Sequence, residues 1–324
     1  MTNLMNLPFS LIRPFYEKTS FHRSVIEDIR DEELRHAYSH CRAITKFHAK
    51  TFYMATRFLP NEKQRGVFAI YGMCRYLDNL VDDAEDLIYG DSLSEAQIQE
   101  RLDLFVADLK KIYKGIHVDH PILIALADTI NSYQIPIEYP MLLVEGVRQD
   151  LTKNRFQTFQ EVYDYSFRVA SVVGLMTSEI FGYSTKDALD QAVDLGIAMQ
   201  LTNILRDIGE DLSRDRIYLA QDELVEFNVT EAMIINKVND DSFKSMMKFQ
   251  IERAKSYYDS AFQGIQKLNK DSRLPVYLAH RNYSRILEKI EENNYDVYSQ
   301  RAYLNQSEKL SILPQVFLDL QKAS

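Results

Sequence analysis

Long stretches of this chain run without a residue that stops a helix. From Asp31 to Phe58 there is neither proline nor glycine, and all 324 residues hold only 8 Pro and 10 Gly. Turn-rich β architectures need those residues at their corners, so the scarcity points to an all-α fold. Asp31 is placed to cap the first helix, with Glu32 and Glu33 in its first turn near the positive end of the helix dipole. Leu59-Pro60-Asn61 breaks this run; a second helix is expected over 62–89, ending near Gly90-Asp91, and a third over 93–113, closed by Lys114-Gly115. Between Pro121 and Pro136 the pattern predicts a short apolar helix from Ile122 to Ser132. Further helices are expected over 158–181, 186–209 and 241–269, and Pro275 reads as opening a last one over roughly 276–293. No linker, charge block or internal repeat divides the chain. It therefore reads as an N-terminal arm over 1–30, packed on one all-helical domain over 31–324.

Composition removes several function classes. Hydrophobic residues at 46% and charged residues at 26% belong to a chain with a core rather than to a disordered one. With 38 Lys+Arg against 47 Asp+Glu the net charge is −9, and no basic stripe offers attraction to phosphate backbones, so nucleic acid is not an expected partner. Cys41 and Cys74 form neither a CxxC pair nor a zinc spacing; they read as small buried hydrophobes in a reducing compartment. The uncharged run Leu195 to Leu205 is far shorter than the roughly 20 apolar residues of a membrane span. Met1 to Phe9 lacks the basic start of a signal peptide. A cytoplasmic protein is expected, with at most peripheral contact to a membrane.

Two short segments carry the chemistry. In Arg75-Tyr76-Leu77-Asp78-Asn79-Leu80-Val81-Asp82 the two aspartates are one helical turn apart, and Arg75 shares their face. In Gln200 to Asp211, the residues Asn203, Asp207 and Asp211 recur with a period of four, among Leu201, Ile204 and Leu205. A single DxxxD on a helix is ordinarily a solvated face. Here there are two, each in an apolar helix and each with an arginine within three residues, Arg75 and Arg206. Carboxylates in such surroundings need a paired cation. Hard oxygen donors select Mg²⁺ or Mn²⁺, and Mg²⁺ commonly bridges one or two carboxylates to substrate phosphate. Two facing stripes would clamp metals onto a diphosphate, which also explains how an acidic protein accepts an anion.

With these motifs the sequence resembles the squalene/phytoene synthase family over roughly residues 35–315. The resemblance implies an isoprenoid-synthase fold around a central cavity, with the aspartate motifs facing each other across its mouth. It implies head-to-head (1′–1) condensation of two prenyl diphosphates, farnesyl or geranylgeranyl, through a cyclopropyl diphosphate to dehydrosqualene or phytoene. Asp78, Asp82, Asp207 and Asp211, with Asn203, match the metal-binding positions. Arg75, Gln200 and Arg206 match polar residues at the diphosphates, and His48-Ala49-Lys50-Thr51-Phe52 resembles a segment whose His48, Thr51 and Phe52 face the head groups. Tyr71 matches a tyrosine lining the same site, and Tyr165 one near the reacting carbons. Ala170 and Gly174 match small residues that leave room for a helix kink and a prenyl chain, with Ser171 where the family has glycine. Tyr283, Arg301 and Lys309 match positions that close over a diphosphate, and Arg301-Ala302-Tyr303-Leu304 is particularly like the phytoene synthase branch.

The nearest alternative is a squalene or presqualene diphosphate synthase, which shares the first half-reaction; NADPH is not expected unless squalene is the product. A head-to-tail synthase or terpene cyclase would carry DDxxD, whereas Asn79 follows Asp78. A non-enzymatic assembly factor of the same descent would not need intact carboxylates. Thr56 and Phe68 are read as the tunnel floor: a small Thr56 favours twenty-carbon donors, a bulky Phe68 fifteen-carbon ones. Asp78→Ala or Asp207→Ala is expected to abolish turnover with the helical circular dichroism unchanged; retained turnover would remove the clamp.

Overall fold

The computed structural model describes residues 25–82 and 94–322 of the chain. The arm expected over 1–30 lies mostly outside them, as do the residues after Asp82 that were expected to extend the second helix. Glu32–His48 forms α1, Lys50–Thr56 α2, Asn61–Asp82 α3, Glu95–Ile112 α4, Pro121–Tyr133 α5 and Glu138–Gln149 α6. A two-residue strand β1 (Arg155–Phe156) precedes α7 (Phe159–Ser166), which runs through a π-helical turn (Phe167–Ser171) into α8 (Val172–Phe181). The long α9 (Ala188–Asp211) ends in a 3₁₀ turn and leads to β2 (Ile217–Ala220), which pairs in parallel with β1. Then follow α10 (Gln221–Glu226), α11 (Glu231–Ile235), α12 (Asp241–Ile265), α13 (Lys270–Glu292), α14 (Gln306–Ser311) and α15 (Leu313–Lys322). The all-α expectation holds.

Helix starts follow the side chains that satisfy free N–H groups. Asp31 accepts from the Leu34 amide at 2.8 Å, and Ser94 and Gln97 form a reciprocal capping box on α4. Three boundaries differ from expectation. The run 31–58 divides at Ala49, whose φ of −126° and ψ of 59° end α1 and begin α2. The stretch 158–181 contains the π turn, a geometry that recurs at functional sites. Pro275 lies inside α13 instead of opening it. It costs one intrahelical bond there. The turn before it is held by Lys63, whose Nζ reaches Asp271 Oδ1 (2.7 Å), Ser272 Oγ (3.1 Å) and the Phe181 carbonyl (2.7 Å).

Buried side chains gather in two groups. One joins α1, α3, α4, α5, α6 and α8 through Met73, Leu102, Leu123, Leu126 and Met176. The other joins α9, α12 and β2 through Ile197, Leu205, Phe243, Met247 and Leu219. Cys41 is fully buried, whereas Cys74 is only half-buried and borders the cavity described below. Helix α9 packs most extensively on α12 and also against the π turn and α8. That approach needs a missing side chain: a methyl group on Gly196 would lie 2.4 Å from Ser171 Cα. Ser171 Oγ donates to the Val193 carbonyl at 2.8 Å, tying the π turn to α9.

Because the obstructing atom is backbone, Gly196→Ala is expected to cost about 1–3 kcal/mol, as overpacking commonly does. Urea unfolding checks this; an unchanged midpoint would contradict the contact between α9 and the π turn.

Candidate active site

Between the two buried groups lies a cavity of about 1050 Å³, at the top of the roughly 300–1,000 Å³ range of ordinary ligand pockets. Helix α9 borders it along its whole length, from Ala188, Ala192 and Leu195 to Asn203, Asp207 and Asp211. At 1.5 Å per residue, Ala188 and Asp211 are roughly 35 Å apart along the helix. One end is polar. The other is walled by Leu59, Phe181, Leu268, Pro275 and Val276.

The polar end collects the expected residues from separate elements. Tyr71, Arg75 and Asp78 come from α3; Gln200, Asn203, Arg206, Asp207 and Asp211 come from α9. Asp78 of the first carboxylate motif and both aspartates of the second thus border one cavity. Asp82 is the last residue of α3; its side chain, like that of Thr51, lies outside the described ones. His48 and Phe52 border the cavity at the α1–α2 junction, where the break at Ala49 turns the chain, and the Phe52 ring lies 5.8 Å from that of Tyr71. Tyr165, Tyr283, Arg301 and Lys309 border it too. Thr56 is part of the wall, but Phe68 is not: it is 1% exposed and stacked on Tyr53, 5.7 Å between centroids. The reading of Phe68 as tunnel floor is therefore corrected.

Charge at the polar end is unevenly balanced. Burial raises the Asp207 carboxyl, but hydrogen bonds and charge from Arg206 and Arg301 outweigh it and hold the group below the usual carboxylate range. Arg206 Nε donates to Oδ1 at 2.8 Å and Arg301 Nε to the same oxygen at 2.9 Å. One turn on, burial and the Asp207 charge push Asp211 up to about 7, with Arg216 and Arg214 opposing. Asn203 Oδ1 and Arg75 Nε are buried with no hydrogen-bond partner among the described residues. Burial and the neighbouring Lys50 push the Lys309 ammonium below its ordinary value. Lys309 and Lys50 thus form a basic pair at the cavity wall, which Arg75 also borders.

The donor set suits a hard divalent cation. Asp78, Asp207, Asp211 and the orphaned Asn203 oxygen are all oxygen donors, the type that hard cations take. Among the described residues no three of His, Cys, Asp and Glu converge on one point, and Mg²⁺ characteristically keeps waters and shares its shell with substrate phosphate.

Another cluster had no signal in the residue spacing. Tyr165 donates to Asp150 Oδ2 at 3.1 Å and Tyr218 to Asp150 Oδ1 at 3.0 Å, with the two rings stacked 5.2 Å apart. Arg216 Nη2 donates to the Asp150 carbonyl at 3.2 Å. Asp150 and Tyr218 are far apart in sequence and meet because β1 pairs with β2.

The family model described as squalene/phytoene synthase matches residues 45–308. A 15-cis-phytoene synthase of Synechocystis sp. is 41% identical over 297 residues, spanning 88% of this chain and 86% of that one. One from Synechococcus elongatus is 40% identical over 297 residues, spanning 88% and 94%. Among solved structures, a dehydrosqualene synthase in complex with ligand superposes with a TM-score of 0.82 at 26% identity, covering 90% of this chain and 99% of that one. Squalene synthase HpnC from Alicyclobacillus acidocaldarius gives 0.74 at 25% identity, covering 84% and 99%.

Lys309, half-buried beside a second ammonium, is placed to meet an anion. Lys309→Ala is expected to weaken inorganic diphosphate binding about ten-fold or more in calorimetry with Mg²⁺ present, the effect of one charge-assisted hydrogen bond. Unchanged affinity would place the diphosphate elsewhere.

Proposed function

The chain belongs to the squalene/phytoene synthase family, and we propose that it joins two twenty-carbon prenyl diphosphates head to head to make phytoene. It is a prenyltransferase with the terpenoid-synthase fold, and its reaction is head-to-head condensation of prenyl diphosphates to phytoene or dehydrosqualene. The observation that carries this reading is one long cavity, with the carboxylate helices at its polar end and apolar walls beyond. The twenty-carbon choice is supported by Thr56 in the wall, by Phe68 outside it, and by the phytoene synthases that resemble the chain.

Asp78, Asp82, Asp207 and Asp211, with Asn203, would hold Mg²⁺. Bound there, the metal supplies positive charge to the leaving diphosphate. Arg75, Lys50, Lys309 and Arg301 donate to the diphosphate oxygens as charge develops on them, which lowers the barrier to breaking the C1–O bond. The allylic cation is captured by the C2–C3 double bond of the second substrate. Loss of a proton closes a cyclopropane, and a second ionisation with rearrangement and proton loss gives the hydrocarbon. Val147, Val169, Val173 and Leu195 line the cavity and exclude water that would quench the cations. Each CH₂ of the tails buried there contributes about 0.8 kcal/mol to binding.

No helix among the described residues is long and apolar enough to cross a membrane. The product is a water-insoluble hydrocarbon, so peripheral contact with a lipid surface belongs to this reading. Exposed Tyr303 at the cavity and Phe47, edge-on to His48, support it.

Purified protein with Mg²⁺ and geranylgeranyl diphosphate alone is expected to yield phytoene in the organic phase. Squalene formed only from farnesyl diphosphate with NADPH would transfer the assignment to a squalene synthase. Thr56→Phe is expected to lower kcat/KM for the twenty-carbon donor about ten-fold or more relative to the fifteen-carbon one, the scale at which a filled apolar pocket discriminates. An unchanged ratio would remove Thr56 from the tunnel floor.

A further inference from the structure

The condensation must dispose of a proton, and the polar groups described at the mouth are suited to binding diphosphate and metal. Beside them in the same cavity, Tyr165 is 4% exposed, and its hydroxyl donates to a carboxylate. We propose that Asp150 is the final acceptor of the proton lost when the cyclopropane closes, and that the Tyr165 phenol relays it there. This rests on the head-to-head reading above.

Three observations support the relay. Tyr165, Asp150 and Tyr218 all line the cavity, beside apolar Val147, Val169 and Ile204. The Asp150 carboxylate is fixed in orientation, since Tyr218 holds Oδ1 at 3.0 Å and leaves Oδ2 to Tyr165 at 3.1 Å. Finally, Tyr165 cannot act as a free base. Burial and the Asp150 charge hold its phenol far above the ordinary tyrosine value, so it stays protonated. A neutral phenol accepts a proton only by giving up its own, and the Tyr165 proton points at Asp150.

The step balances without an outside reagent. The C–H bond at C1 of the ionised donor breaks, and its electron pair forms the third cyclopropane bond to the tertiary cation at C3 of the acceptor. The proton goes to Tyr165 Oη while the proton already on Tyr165 moves to Asp150 Oδ2. Tyr165 ends as a phenol and Asp150 as a carboxylic acid, so no tyrosinate is left in the apolar wall. Tyr165 is the group that meets the reacting carbons; Asp150 acts through it as a positioning residue and proton sink.

Asp150→Asn removes the sink and keeps the side-chain size. It is expected to lower kcat on the order of 10²–10⁴-fold, the usual contribution of general acid–base catalysis, with KM little changed. Proton loss then limits the rate, so donor deuterated at C1 must show a primary kinetic isotope effect larger than in the wild type. Tyr165→Phe removes the relay's entry atom with Asp150 in place and should show the same isotope effect, whether or not Asp150→Asn folds. A large fall in kcat in these variants without the isotope effect would mean that Asp150 only braces the tyrosines, and the relay would be wrong. Undiminished kcat in either variant would also refute it. Wild-type protein that forms no condensation product from either prenyl diphosphate would refute the underlying reading instead.

Discussion

Asp207 is held in an apolar helix by two arginines, and the geometry of the cavity mouth follows from that pairing. Its neighbours Ile204, Leu205 and Ile208 are buried, and withdrawing a carboxylate from water into such a setting costs several kcal/mol unless it is paired. Arg206 is adjacent in sequence, but Arg301 comes from beyond α13. The ion pair therefore draws the segment after α13 to the mouth, where Tyr303 and Lys309 border the cavity with it. Asp211 lies close enough to Asp207 for burial and like charge to push it up to about 7. Burial and the Asp207 charge thus make an ionised Asp211 costly to the folded chain.

The shape of the cavity depends on how closely its helices approach. Gly196 lets α9 meet the π turn backbone to backbone, and the Ser171 hydroxyl bonds across that contact. The π turn follows directly on α7, whose Tyr165 meets Asp150. At the far end Lys63 ties the Phe181 carbonyl to the first turn of α13, holding together two walls of the apolar part. A cavity that follows roughly 35 Å of helix needs such ties, because the space a tail fills is space the core does not.

The carboxylate stripes were legible because helical periodicity turns a spacing of four into a shared face, and the structure puts Asp78 of the first stripe and Asn203, Asp207 and Asp211 of the second on one cavity. Helix identities were legible for the same reason. The break at Ala49 was not, since no proline or glycine marks it. Phe68 shares a helical stripe with Tyr71 and Arg75, so sequence alone could place it in the tunnel; the Tyr53 ring stacks on it, and it is left out of the wall. Pro275 reads as a helix start because proline favours first turns, yet the preceding turn is stabilised from outside by Lys63. Asp150 and Tyr218 had no local signature at all. Their meeting depends on a short ladder between residues distant in the chain, which no periodicity encodes.

The central claim is that both diphosphates are held at the polar end between α3 and α9 while both tails run toward Phe181 and Val276. A crystal structure with Mg²⁺ and a non-ionising thio-diphosphate analogue of the twenty-carbon donor tests it directly. The account predicts two analogue molecules with their head groups at Asp78 and Asp207 and their tails side by side beyond Thr56. A single bound molecule, or a head group bound away from those aspartates, would contradict it.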